Sequence, residues 1–330
     1  MIVVTGATGQ FGRHAVENLI KLGVPAGQIA VAVRSPEKAA DLASRGVQVR
    51  QADYDRPDTL AAAFTGADKL LFVSANGPDD LRITQHRAVV DAARAAGVGL
   101  VAYTSIADAD TNPINLARVH RDTEQALAAS GLPTVLLRNG WYTENYTATL
   151  AGAVERGAIV GSAGQGRIAS ATRADLAEAA AVVLASQQPQ SGKVYTLTGE
   201  VAWSLPELAA EAAAVSGKPV TYTELPAEQY AHILTGAGLP GLLVEMLVDA
   251  DVKVAQGALQ TVTGDLAALL GRPTTTLGEA VTTALREGPQ PAPEAAARRP
   301  CTCSELDRRA TLTRVRGRSY VRSTGYEQAE

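Results

Sequence analysis

Short apolar runs and amphipathic stretches take turns along the first 140 residues. Residues 2–4 are continuously apolar, and the stretch after them carries its apolar positions at helical spacing as far as Leu22. The same alternation predicts strands over 28–33, 47–50, 69–73, 100–103 and 134–137. Between them it predicts helices over 36–45, 59–64, 81–96 and 116–129, the last two stopped by Gly97 and Gly131. Six strands separated by helices require right-handed parallel crossovers, with helices on both faces of a twisted sheet. The fold class expected is α/β, a Rossmann-type doubly wound parallel sheet.

Beyond Gly140 the rhythm loosens. An alanine-rich helix over 174–186 and a strand over 193–197 are expected to return to the first sheet. Helices over 205–216, 227–235, 242–248 and 277–286, with a short strand over 220–224, outline a smaller C-terminal α/β lobe. Such a lobe covers the carboxyl ends of the strands, where open parallel sheets bind their ligands. From residue 288 the composition turns to Pro, Ala and Arg, with Pro289, Pro291, Pro293 and Pro300 breaking any helix; 288–330 is expected to be a disordered tail. The expected division is a nucleotide-binding domain over 1–150, joined by 174–199, a substrate lobe mainly over 151–287, and the tail.

Between the first strand and first helix stand Gly6, Ala7, Thr8, Gly9, Gln10, Phe11 and Gly12. Glycines three apart allow a sharp turn, a close approach to a pyrophosphate and tight seating of the helix on the sheet. The unpaired N–H groups of the first helical turn face the phosphates, so no charged side chain is needed there. A ligand-free strand-to-helix turn uses similar residues, and the spacing is Gly-x-x-Gly-x-x-Gly. Position directly after an apolar strand is what makes a dinucleotide the expected partner.

Composition narrows the partners. The chain of 330 residues is 46% hydrophobic with a formal net charge of -4, so it can bury a large core and has no general attraction to nucleic acid or anionic membrane. No apolar run has membrane-spanning length and no signal-peptide layout opens the chain, which predicts a cytoplasmic protein. The two cysteines, Cys301 and Cys303, lie in the tail and provide neither a disulfide framework nor a metal site.

Arg34 follows the second strand, where NAD-specific folds present a carboxylate to the ribose 2′-hydroxyl. A guanidinium there holds a 2′-phosphate, which favours NADPH, with NADH weaker; the bland alternative is an exposed loop arginine. Asp53 is either a partner for the adenine amino group or a cap for the helix beginning near Asp58. Ser74, with Asn76 and Gly77, follows the fourth strand and borders the cofactor, although Asn-Gly is also a plain turn signal.

The proton chemistry is poorly marked. Short-chain dehydrogenases pair a Tyr with a Lys four residues on, whereas Tyr103, Tyr142 and Tyr195 are followed at that distance by Ala107, Tyr146 and Gly199. His120 lies on the helix after the fifth strand and is either a proton source or an ordinary core histidine. Asn139, Gly140, Trp141 and Tyr142, with Asn145 and Tyr146, follow the sixth strand and bring aromatic rings to the mouth of the cleft, where a flat ring can stack. Trp141 is alternatively a clamp between the lobes.

Taken with 50–54, 102–105 and 169–175, the runs 1–12 and 137–142 resemble the NmrA-like atypical short-chain dehydrogenases, and within them the bacterial NAD(P)H:quinone oxidoreductases of type 2. The likeness covers about residues 1–286. It implies NADPH held by Gly6 to Phe11, by Arg34, by the turn from Asn139 to Tyr142 and by Arg173, with two-electron reduction of a quinone stacked at the nicotinamide. Ser105 or Tyr142 is then a candidate for protonating the quinone oxygens. A homodimer is a further expectation. The family also contains redox sensors without turnover, and reductases of other planar electrophiles fit the same pattern.

Overall fold

In the computed structural model, which describes residues 1–287, the first strand β1 (Ile2–Thr5) is buried along its whole length and leads into α1 (Gln10–Lys21). The chain continues through β2 (Ile29–Val33), α2 (Ala40–Ser44), β3 (Gln48–Gln51), α3 (Pro57–Phe64), β4 (Lys69–Phe72), α4 (Asp79–Ala95), β5 (Leu100–Ile106), α5 (Ala117–Ser130) and β6 (Thr134–Asn139). The helix expected over 36–45 is split: Pro36 starts a 3₁₀ turn over Pro36–Ala39, and only five residues of α2 follow. A proline-led turn between two adjacent strands leaves room for little more.

After β6 come α6 (Glu144–Thr147), α7 (Leu150–Arg156), β7 (Ala158–Gly161), α8 (Arg173–Ala185) and β8 (Val194–Leu197). The main sheet has seven strands in the order β3-β2-β1-β4-β5-β6-β8, and every neighbouring pair is parallel. Its inner strands are covered on both sides, which is why they read as unbroken apolar runs. Alternate residues serve the two faces. Val4, Val31, Leu71, Ala102 and Val135 pack with α1 and α8, while Val3, Ala30, Leu70, Val101 and Tyr103 pack with α3, α4 and α5. Ala177, Ala179, Ala180 and Ala181 of α8 are buried, and small side chains here let α8 lie close on the sheet and α1.

The remaining helices are α9 (Leu205–Ser216), α10 (Ala227–Gly236), α11 (Gly241–Val254), α12 (Asp265–Leu270) and α13 (Leu277–Glu287), with β9 (Thr221–Glu224) between α9 and α10. β9 pairs in parallel with β7, an unanticipated strand, from Ala158↔Thr221 to Gly161↔Glu224. Around this pair a separate apolar cluster gathers Ile106, Trp141, Leu150, Ile168, Trp203, Leu205, Leu208, Val254 and Val281. The disorder expected of 288–330, and Cys301 and Cys303 with it, lies outside the described residues. Among the described residues no helix is long and apolar enough to cross a membrane.

Candidate active site

The turn after β1 is built on backbone alone. Gly6 has φ 63, and its carbonyl accepts from the Gly9 N–H at 3.0 Å. A Cβ on Gly12 would stand 2.5 Å from that same carbonyl oxygen, so α1 crosses the turn at a distance only glycine allows. Gly9 caps α1 without a side chain and the first turn holds no acidic residue. Gly6, Thr8, Gly9 and Gln10 are exposed, whereas Ala7 and Phe11 are buried and seat the turn on the sheet. Uncapped N–H groups and a tight glycine approach suit a pyrophosphate. Thr5 fixes the rim, donating to the Leu71 carbonyl at 3.1 Å and accepting from the Val73 N–H at 2.9 Å.

Beyond β2, Arg34 is exposed and makes no ion pair or hydrogen bond among the described residues; nearby, Arg13 is held by Asp41. Asp53 serves its own turn. Its Oδ1 accepts from the Asp55 N–H at 3.1 Å within the loop, and α3 carries no side-chain cap, so the helix-capping expectation is not met.

Between the ends of β4 and β5 lies a buried polar cluster that sequence reasoning missed. His86 Nε2 accepts from the Ala75 N–H at 2.9 Å, and Nδ1 lies 2.7 Å from Thr123 Oγ1, whose own proton goes to the Val119 carbonyl at 2.8 Å. This pattern puts the ring proton on Nδ1 of a neutral imidazole. Burial, aided by the Arg82 charge, pushes its pKa down to about 3. Arg82 donates from Nη2 to Ser74 Oγ at 2.9 Å. The available signal was the spacing Arg82-x-x-x-His86, two polar residues stacked on the inward face of α4.

His120 is 5% exposed, with Nδ1 2.9 Å from the buried Tyr103 hydroxyl. Burial holds it well below its usual pKa, so the structure puts a neutral core histidine where a proton source was one expectation. The Ser105 hydroxyl donates to Glu124 Oε1 at 2.6 Å, and Glu124 also binds Arg138, which reaches on to Asp110. The serine proton is thus directed into a carboxylate rather than toward the cleft.

The bend after β6 is squeezed between two other segments. A Cβ on Gly140 would lie 3.0 Å from the Leu197 oxygen and 3.1 Å from that of Ala169. Among the described residues neither polar atom of the buried Asn139 side chain has a partner at hydrogen-bond distance, which leaves them for a ligand. Tyr142 is half-buried, with the Arg173 guanidinium 4.5 Å from its ring centroid. Arg173 also donates to Asn145 Oδ1 at 3.1 Å and faces Glu144 at 3.5 Å. Trp141 corrects the stacking expectation: only 5% exposed, it packs in the apolar cluster around β7 and β9 because neighbouring residues on an extended bend point to opposite sides. Asn139, Gly140, Tyr142 and Arg173 come together; the Trp141 ring is turned away.

Beneath the bend, the Tyr146 hydroxyl donates to Asp251 Oδ1 at 3.4 Å and the Ser162 N–H to Oδ2 at 3.0 Å. Asp251 is 1% exposed, and burial raises its pKa to about 6. Between the unfolded value of 3.8 and the folded value, the native state binds the extra proton, so this group costs stability as pH rises through that window. Asp251→Asn is therefore expected to stabilise the protein by about 2 kcal/mol at pH near 8 and by almost nothing near pH 4. Thermal unfolding of both forms across that range is the check, and a gain independent of pH counts against the assignment.

The comparisons with known proteins agree with this geometry. Residues 6–187 match the NAD(P)H-binding family. Quinone oxidoreductase 2 of Escherichia coli K12 is 50% identical over 281 residues, covering 85% of this chain and 97% of that protein. Its crystal structure with NADPH superposes with a TM-score of 0.82 at 49% identity, over 86% of this chain and 99% of that one. Triphenylmethane reductase of Citrobacter sp., complexed with NADP(H), gives 0.83 at 41% identity, over 86% and 100%. An NmrA-like family domain-containing oxidoreductase of Aspergillus flavus is 31% identical over 279 residues, 82% of this chain and 90% of that protein. The chain thus belongs to the NAD(P)H-binding family, in the NmrA-like group of atypical short-chain dehydrogenases.

Proposed function

We propose that the protein is an NADPH-dependent quinone reductase transferring two electrons at a time. The observation that carries this reading is the near full-length likeness to E. coli quinone oxidoreductase 2, whose structure holds NADPH. In this reading the backbone from Gly6 to Phe11 binds the pyrophosphate, Arg34 the 2′-phosphate, and Ser74, Asn139, Gly140, Tyr142 and Arg173 border the nicotinamide end, with Trp141 supporting them from behind. Residues 1–150 with 174–199 serve as the nucleotide-binding part and 151–287 mainly as the acceptor-binding part. When bound, NADPH supplies the hydride.

The chain's own share is positioning. Arg173 holds the Tyr142 ring flat, giving an acceptor ring a wall to lie against. The Tyr142 phenol, raised in pKa by burial, stays protonated and available as a donor. His120 and Ser105 act as supports, the first bracing Tyr103 and the second joining β5 to Glu124. A quinone is electrophilic enough to accept hydride without a strong acid, so the missing Tyr/Lys pair does not oppose the reading. The likeness to triphenylmethane reductase favours dyes as a second acceptor class.

The test is NADPH oxidation followed by absorbance against quinones and cationic dyes. Stimulation by benzoquinones, with NADH a poorer donor, is expected. Tight NADPH binding with no turnover on any quinone would leave a redox sensor instead. The same reading has the protein act in the cytoplasm as a homodimer without nucleic-acid or membrane partners; light scattering and cell fractionation check it.

A further inference from the structure

We propose that Arg82, acting through the Ser74 hydroxyl, stabilises the negative charge that forms on the acceptor's oxygen during reduction. This rests on the quinone-reductase reading above and adds to it a positioning residue that no motif reveals.

The first argument is an incompletely compensated charge. Arg82 is 5% exposed, yet among the described residues its ion-pair partner is Asp79 at 3.9 Å from Nη1 and its Nε has no hydrogen-bond partner. Buried guanidinium groups are ordinarily paired at hydrogen-bond distance, because removing a cation from water costs several kcal/mol. Among the described residues no further carboxylate pairs with it. His86 and His120 are neutral, and the Tyr103 phenol is held protonated by burial. Burial also lowers the pKa of Arg82 itself, as expected of a cation short of partners.

The second argument is direction. Nη2 donates to Ser74 Oγ at 2.9 Å, so the hydroxyl accepts from a cation and its own proton is left to donate. Among the described residues its other polar neighbours are His86 Nε2 at 3.5 Å, whose lone pair is already taken by the Ala75 N–H at 2.9 Å, and the Tyr103 hydroxyl, which lies 2.9 Å from His120 Nδ1. The Ser74 backbone is fixed as well, its N–H donating to Thr104 Oγ1 at 2.9 Å. The result is a polarised, immobilised donor.

The third argument is place. Ser74 is half-buried just past β4, and β4 pairs with β1 where the strand order reverses, next to the glycine turn. Parallel sheets bind ligands in the crevice at that point. β5, which fixes the Ser74 backbone through Thr104, pairs with β6, whose end leads into the bend that carries Tyr142.

The chemistry balances simply. The C–H bond of the dihydronicotinamide breaks as its hydride bonds to one quinone oxygen, the ring π electrons shift to the opposite oxygen, and that oxyanion is met by the Ser74 O–H with Arg82 behind it. Water then protonates that oxygen to complete the hydroquinone, while the nicotinamide cofactor is oxidised by two electrons. A donor already oriented toward the oxyanion lowers the barrier without reorganisation, an effect of about 10²-fold in comparable sites.

The test uses the full-length protein with NADPH and a series of substituted benzoquinones whose hydroquinones span a range of acidity. Arg82→Gln is expected to lower kcat about a hundredfold for the acceptors with the most basic oxyanions and far less for the others. Ser74→Ala should show the same trend, Arg82→Lys should recover part of the loss, and the double variant should be no worse than the poorer single one. Calorimetry on Arg82→Gln should find NADPH affinity unchanged. A loss equal across all acceptors, or one confined to NADPH affinity, overturns the proposal, the latter assigning the pair to an oxygen of the cofactor. If Arg82→Gln does not fold, Ser74→Ala decides alone, since a half-buried hydroxyl can be removed at little structural cost. Wild-type protein inert toward quinones sinks the functional reading itself; active wild type with indifferent variants sinks only this inference.

Discussion

Gly12→Ala is expected to cost about 2–4 kcal/mol of stability and to weaken NADPH binding at least a hundredfold. The added methyl would sit 2.5 Å from the Gly6 oxygen, 2.7 Å from its carbon and 2.9 Å from the Ala7 Cα, all of them backbone atoms that cannot rotate away. α1 must then tilt off the turn, but its buried Phe11, Ala15, Val16 and Leu19 tie it to the sheet and α8. The strain is divided between a loosened core and N–H groups aimed off the phosphates. Gly27→Ala is the control, because nothing lies within 4 Å of a Cβ at that position. Melting curves and calorimetry on both variants decide; a Gly12→Ala protein with native melting and native affinity removes the turn from the phosphate site.

Arg34→Ala should weaken NADPH by about ten- to a hundredfold and leave NADH nearly untouched. Arg34 has no protein partner to lose among the described residues and is exposed, so its removal leaves the fold intact and the whole effect falls on the ligand. Arg34→Glu should go further and reverse the preference, because a carboxylate repels the 2′-phosphate yet accepts from a free ribose hydroxyl. Since the contact is at the surface, its contribution should shrink in high salt. Titrating both coenzymes at low and high ionic strength tests all three statements, and equal losses for the two coenzymes would refute the 2′-phosphate role.

The parts of the fold legible in the sequence are those with local causes. Helix α9 runs over the residues expected, because Ser204 and Glu207 close a capping box at its start and Gly217 ends it at φ 68. The inner strands were visible as apolar runs because both faces of the sheet are covered. β7 was not, since three of its four residues are partly exposed and its partner β9 lies some sixty positions away. Six-residue α12 likewise depends on packing against α8 rather than on its own pattern.

The site divides in the same manner. The glycine turn was legible because it occupies a fixed place relative to a strand end, and Arg34 stands exposed past the next strand for the same reason. Arg82 was not: on a helix, a lone arginine reads as a solvated charge until topology lays that face against β5 and its neighbours. Burial of Asp251 and the inward turn of Trp141 are equally products of tertiary packing, carried by residues distant in the chain.

The return of α8 and β8 to the main sheet has a consequence for biosynthesis. When the ribosome has released only the first 150 residues, β6 is still an open edge, and the part of α1 that α8 covers is bare. Nearly fifty more residues must emerge before Leu197 can close that flank. For this interval the nascent chain is sticky and suited to chaperone capture, and fragments ending near position 150 should aggregate rather than survive as a free nucleotide-binding module.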